Sequence, residues 1–195
     1  MHGLINMALQ RFACDTYGTG FWDTVTRDAG LGFAGFEAML TYDPALTDAV
    51  LDALAGRLDR TRNAVLEDVG TYLVSHPAMA SLRRLLRFAG AGFVDFLLSL
   101  DELPDRARLA VPDLDLPRID LADLGEGRFS IACAAPRPGY GHVLTGVLRA
   151  MADDYGALVT LSPVAEGAGT ETIEVSLVVA GYASGRDFDL GARTG

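Results

Sequence analysis

The chain has 195 residues, half of them apolar, a formal net charge of -10 and 16 basic residues, every one of them arginine. It is long enough to bury one sizeable core or two smaller ones. An acidic surface cannot displace counterions from phosphate, so nucleic acid is excluded as a partner.

No apolar run approaches the length needed to span a bilayer, and the N-terminus lacks the basic, apolar and small-residue zones of a signal peptide. A cytoplasmic chain without a membrane span is expected. Cys14 and Cys133 are too few for a disulfide framework and read as reduced, buried thiols.

Taken in chain order, Leu4, Ile5, Ala8, Leu9, Phe12 and Ala13 make the apolar face of a first helix, which Gly18 and Gly20 end. A short helix around "FWDTVTRDAG" follows, closed by Gly30. In "TYDPALTDAVLDALAGRL", Asp43 is an N-cap and Pro44 a first helical residue, with Leu46, Val50, Leu51, Leu54 and Leu58 forming the stripe. A helix from about Thr61 buries Val65, Leu66, Val69, Tyr72 and Leu73 and stops at "SHP", which contains His76. Leu82, Leu85, Leu86, Ala89, Phe93, Phe96, Leu97 and Leu100 then recur at three and four residues, predicting one long helix that Pro104 stops. Gly90 and Gly92 inside it point to close approach by another helix or a flat ligand.

Beyond Leu100 the character changes. "ARLAVPDLDLPRIDLADL", broken by Pro112 and Pro117, reads as an extended segment entering a sheet. "GRFSIACAA", "ALVTLSPV" and "TIEVSLVVAGYA" read as strands, and "GYGHVLTGVLRAMADDYG" as a helix burying Val143, Leu144, Val147, Leu148 and Met151. Consecutive strands at both ends favour an antiparallel sheet. The fold class is α+β: a helical N-terminal subdomain over residues 1–60, a C-terminal subdomain with the sheet over 61–182, and a glycine-containing tail over 183–195.

Catalytic motifs are missing. There is no Gly-x-Ser-x-Gly elbow, no P-loop and no His-Glu-x-x-His, and His2, His76 and His142 lie far apart without metal-ligand spacing. Asp113 with Asp115, and Asp187 with Asp189, alternate as solvated residues do. No nucleophile and base can be placed together, so an enzyme is not expected.

The order of segments carries more. "MHGLINMALQRFACDTYG", "TYDPALT", "FAGAGFVDFLLSLDEL", "PDLDLPRID" and "GYGHVLTGVLRAMADDYG" together resemble the heme nitric oxide/oxygen-binding (H-NOX) family. That family includes the sensory N-terminal domain of soluble guanylate cyclase and stand-alone bacterial gas sensors. The resemblance runs from Met1 to about Val179 and implies one H-NOX-like domain over residues 1–182, with a helical subdomain joined to an α+β one. It also implies a proximal heme-ligating histidine just after a Leu-Asp-x-Leu sequence, where "LSLDEL" here is followed by Pro104. A Tyr-x-Ser-x-Arg motif that holds the heme propionates corresponds to "CAAPR", with Cys133 and Ala135 in place of the tyrosine and serine, and Arg137 kept.

A pocket lined by Ile5, Leu9, Phe93, Leu97, Pro104, Cys133, Ala135, Arg137, His142 and Gly146 follows from the resemblance, with His142 the one candidate metal ligand. Three readings stay open. The first is a sensor or regulatory domain with a degenerate heme site, acting through a signalling partner such as a histidine kinase or a cyclic-dinucleotide enzyme. The second is a heme protein sensing nitric oxide through a substitute ligand such as His142. The third is a carrier of a small apolar or planar acid, whose carboxylate would pair with Arg137 in place of any heme.

Overall fold

A computed structural model describes residues 1–167 and 169–186. Its N-terminal half is helical because local caps and glycines set the segment ends. Helix α1 (Gly3–Tyr17) begins where the His2 ring accepts from the Leu4 N–H, and it ends at Gly18, whose φ of 90° only glycine adopts readily. Helix α2 spans Thr19–Asp28. Helix α3 (Pro44–Leu58) is capped by Asp43, whose Oδ1 accepts from the Ala45 N–H at 2.9 Å, with Pro44 at its start. Helix α4 (Arg62–Ser75) takes Thr61 as its cap and stops at His76.

The long helix expected over residues 82–100 is two helices, α5 (Ala80–Arg87) and α6 (Phe93–Leu98). The glycines break it, and the close approach at Gly90 comes from Asp95 in the first turn of α6. Asp95 folds back so that its Oδ2 accepts from the Gly92 N–H at 3.0 Å, and a Cβ on Gly90 would lie 2.0 Å from the Asp95 Cβ. Nor does Pro104 stop a helix. It is buried in the first turn of α7 (Leu103–Ala110), where a proline lacks no hydrogen bond the helix needs, so the first part of the segment expected to be extended is helical.

The rest is a five-stranded sheet with one long helix against it. Strands β1 (Arg118–Gly125), β2 (Arg128–Ala134), β5 (Thr170–Val179) and β3 (Leu158–Leu161) lie in the order β1-β2-β5-β3, all antiparallel. A short β4 (Ala165–Gly167), absent from the sequence expectation, also pairs with β5. Period-two alternation turns Phe129, Ile131 and Cys133 of β2 inward, and on β5 the inward row is Glu171, Ile173 and Val175. Helix α8 (Tyr140–Tyr155) crosses this face.

Two apolar clusters result. Leu9, Phe12, Trp22, Val50 and Leu54 lead the first, and Phe96, Leu97, Leu148, Met151 and Ile173 lead the second. Helix α4 serves both, giving Val65, Val69 and Tyr72 to one and Val74 to the other. It packs on α8 backbone to backbone: a Cβ on Gly146 would lie 2.0 Å from the Glu67 carbonyl oxygen, and one on Gly70 equally close to the Val143 carbonyl oxygen.

Past β5 the chain returns to the end of α8, where the Ala183 N–H donates to the Gly156 carbonyl and the Arg186 N–H to that of Asp154. The remainder of the proposed tail, with Asp187 and Asp189, lies outside the described residues.

Candidate functional site

Four of the ten expected pocket residues converge. Ile5 on α1 and Ala135 and Arg137 after β2 line a cavity of about 310 Å3, together with Leu116 and Tyr140. Cys133, Ala135 and Arg137 line a second one of about 380 Å3 together with Glu171. The other six lie elsewhere. Leu9 is packed in the first apolar cluster and Phe93 and Leu97 in the second. Pro104 is buried at the start of α7, and His142 and Gly146 are buried on α8, with Gly146 against α4.

The electrostatics of the convergent group are set by internal partners. Arg137 Nη2 donates to Asp48 Oδ2 at 2.5 Å, so the guanidinium is neutralised from α3. The Cys133 thiol is pushed up to about 12 by burial, with the nearby Glu171 charge adding to it, and stays protonated and inert at neutral pH. Glu171, paired in register with Cys133 across the sheet, is the residue that sequence reasoning missed. Its Oε1 accepts from the Gly139 N–H and its Oε2 from the Gly141 N–H, each at 2.7 Å. The available signal was a carboxylate on the inward row of a strand whose next two inward residues are Ile173 and Val175.

His142 stands apart. It is 7 % exposed, its Nδ1 lies 3.4 Å from Glu67 Oε1, and Arg149 Nη2 donates to the other Glu67 oxygen at 3.3 Å. Its Nε2 is buried with no hydrogen-bond partner among the described residues. A buried ring nitrogen left this way costs about 1–3 kcal/mol, so it calls for an explanation.

Heme held in the H-NOX manner does not fit the residues at these positions. Pro104 has no side-chain lone pair, Ala135 and the protonated Cys133 thiol stand where the resemblance sets two hydroxyl donors, and Arg137 is paired with Asp48. Among the described residues, no group of three or more His, Cys, Asp and Glu side chains could hold a metal ion, and no helix is long and apolar enough to cross a membrane.

Comparison with known proteins agrees with the fold. The family model described as "Haem-NO-binding" matches residues 2–162. Soluble guanylate cyclase 89Da of Drosophila melanogaster is 21 % identical over 158 residues, covering 81 % of this chain and 24 % of that protein. Guanylate cyclase soluble subunit beta-2 of Rattus norvegicus is 25 % identical over 92 residues, 47 % of this chain and 14 % of that one. The chain thus spans about a quarter or less of the length of the curated relatives it matches.

Among solved structures, an H-NOX protein from S. oneidensis superposes with a TM-score of 0.78 at 16 % identity, covering 92 % of this chain and 97 % of that one. An oxygen-binding H-NOX domain related to soluble guanylate cyclases gives 0.71 at 14 % identity, covering 96 % and 100 %.

Proposed function

The chain belongs to the haem-NO-binding family, and from that premise we propose that it is a cytoplasmic sensor or regulatory domain that works without heme ligated in the family's usual way. It acts through a partner protein, a histidine kinase or a cyclic-dinucleotide enzyme, and has no catalytic residues of its own. The observation that carries this reading is Pro104. Buried in the first turn of α7, it stands at the position that the sequence resemblance assigns to the iron ligand, and it offers iron no donor. Cys133, Ala135 and the Arg137–Asp48 pair support it from the propionate side.

The test is the visible spectrum of the full chain after incubation with hemin and gel filtration. The expected result is no Soret band above that of carried-over free hemin. A stoichiometric band overturns the reading.

A second reading has one observation in its favour. His142 Nε2 is buried and unpartnered while Nδ1 faces Glu67, and a carboxylate behind the far ring nitrogen is how a ligating imidazole is commonly oriented. In this reading the chain is a gas sensor, for nitric oxide or another diatomic, with iron held from α8. A Soret band present in the native chain and lost in His142→Ala is its signature.

A further inference from the structure

The cavity of about 310 Å3 has the size of a small-molecule site, and Ile5, Leu116 and the Tyr140 ring give it apolar and flat walls. The charges on those walls do not cancel. Arg137 is paired with Asp48, and the Met1 ammonium donates to the Tyr42 carbonyl at 2.7 Å. The exposed Asp113 and Asp115 side chains, on the same wall, have no ion pair among the described residues. Two carboxylates against one ammonium leave room for one more positive charge. Their field reaches the wall: burial raises the Tyr140 phenol above its ordinary value and the Asp115 charge adds to it, with Arg137 opposing less strongly.

Two exposed carboxylates would by themselves be an ordinary solvated wall. His2 is the independent observation. It lines the same cavity and is only 9 % exposed. Its Nδ1 accepts from the Leu4 N–H at 3.2 Å, so the ring proton is on Nε2, and that N–H has no hydrogen-bond partner among the described residues. A buried donor without an acceptor is costly, so Nε2 points to an acceptor that the chain does not supply.

We propose that this cavity binds a small primary aromatic amine, whose ammonium meets Asp113 and Asp115 and whose hydroxyl or carbonyl oxygen accepts from His2 Nε2. The ring of the ligand lies against Tyr140, whose face also attracts the cation. A carboxylate of the same size is refused, because Arg137 is already engaged and Asp113 and Asp115 repel it. The proposal rests on the reading of the preceding subsection, a sensor domain without heme ligated in the usual way, and names the class of ligand it senses.

Titration calorimetry of the full chain with three probes of similar size tests it. Tyramine carries an ammonium and a hydroxyl, phenethylamine lacks the hydroxyl, and 4-hydroxyphenylacetate keeps the hydroxyl but carries a carboxylate. Tyramine is expected to bind one to one, phenethylamine about fivefold more weakly, and 4-hydroxyphenylacetate not at all. In Asp113→Asn/Asp115→Asn, two exposed positions whose replacement leaves the fold standing, tyramine should weaken at least about tenfold. His2→Asn keeps a cap for α1 and withdraws Nε2, so tyramine should fall to the level of phenethylamine while phenethylamine is unchanged. No tyramine binding at millimolar concentration, equal binding of the carboxylate, or an unchanged affinity in the double variant overturns the site. Equal loss of both amines in His2→Asn overturns the part given to His2. A stoichiometric Soret band in the native chain overturns the heme-free reading alone, and failure of tyramine without such a band overturns the amine site alone.

Discussion

Arg137 and Asp48 are joined side chain to side chain, the arginine following β2 and the aspartate on α3, so the guanidinium at the edge of both cavities already has its counter-charge. This pair decides between a pocket that attracts an acid and one that does not. With Arg137 engaged, the remaining charges on the first cavity's wall include Asp113 and Asp115.

Removing the partner is therefore expected to change ligand preference more than stability. Both side chains are more than a third exposed, and such a pair contributes less than about 1 kcal/mol. Asp48→Ala should leave the urea midpoint nearly unchanged and create measurable binding of a medium-chain fatty acid by titration calorimetry, with none expected for the native chain. Fatty-acid binding by the native chain would favour the carrier reading.

The α4–α8 crossing predicts a contrast between two glycines. A Cβ on Gly146 would overlap the α4 backbone, whereas one on Gly56, in the exposed part of α3, meets nothing within 4 Å. Gly146→Ala should cost about 3 kcal/mol or more in denaturant unfolding, because backbone rather than a flexible side chain must move. Gly56→Ala should stabilise by about 0.5–1 kcal/mol through helix propensity alone.

Cys133 gives a pH signature. Its folded-state pKa is raised from 9.0 to about 12, so the folded state favours the protonated thiol. The stability this contributes is fully present below pH 9, where both states keep the proton, and is lost as pH rises from 9 through about 12. Cys133→Ala, corrected for its loss at neutral pH, should show a shallower decline over that window in denaturant melts. Alkylation at pH 8 followed by mass spectrometry should label the partly exposed Cys14 before Cys133; the reverse order contradicts the assigned burial.

Elements with local signals were legible in the sequence. Asp43 with Pro44 and Thr61 mark helix starts through groups one to three residues away, and Gly18 ends α1 through its own positive φ, whereas Gly20, expected to end α1 with it, lies inside α2. The unbroken helix over 82–100 failed because apolar spacing alone cannot register that Asp95 turns back onto the Gly92 N–H. Pro104 failed as a stop because a proline is equally suited to end one helix or begin the next. Strand β4 is too short for a periodic signal.

The site divides along the same line. Cys133, Ala135 and Arg137 were visible because their motif is contiguous, and they do share cavity walls. Glu171 and Asp48 were invisible because they reach that stretch only through the β2–β5 register and the approach of α3. No local pattern encodes either contact.

The proposed heme-free working of this H-NOX fold rests on Pro104 at the start of α7. Native mass spectrometry of the full chain, expressed in cells supplied with heme precursor, tests it most directly. A single species at the mass of the polypeptide alone is expected. A dominant species heavier by one heme would contradict it.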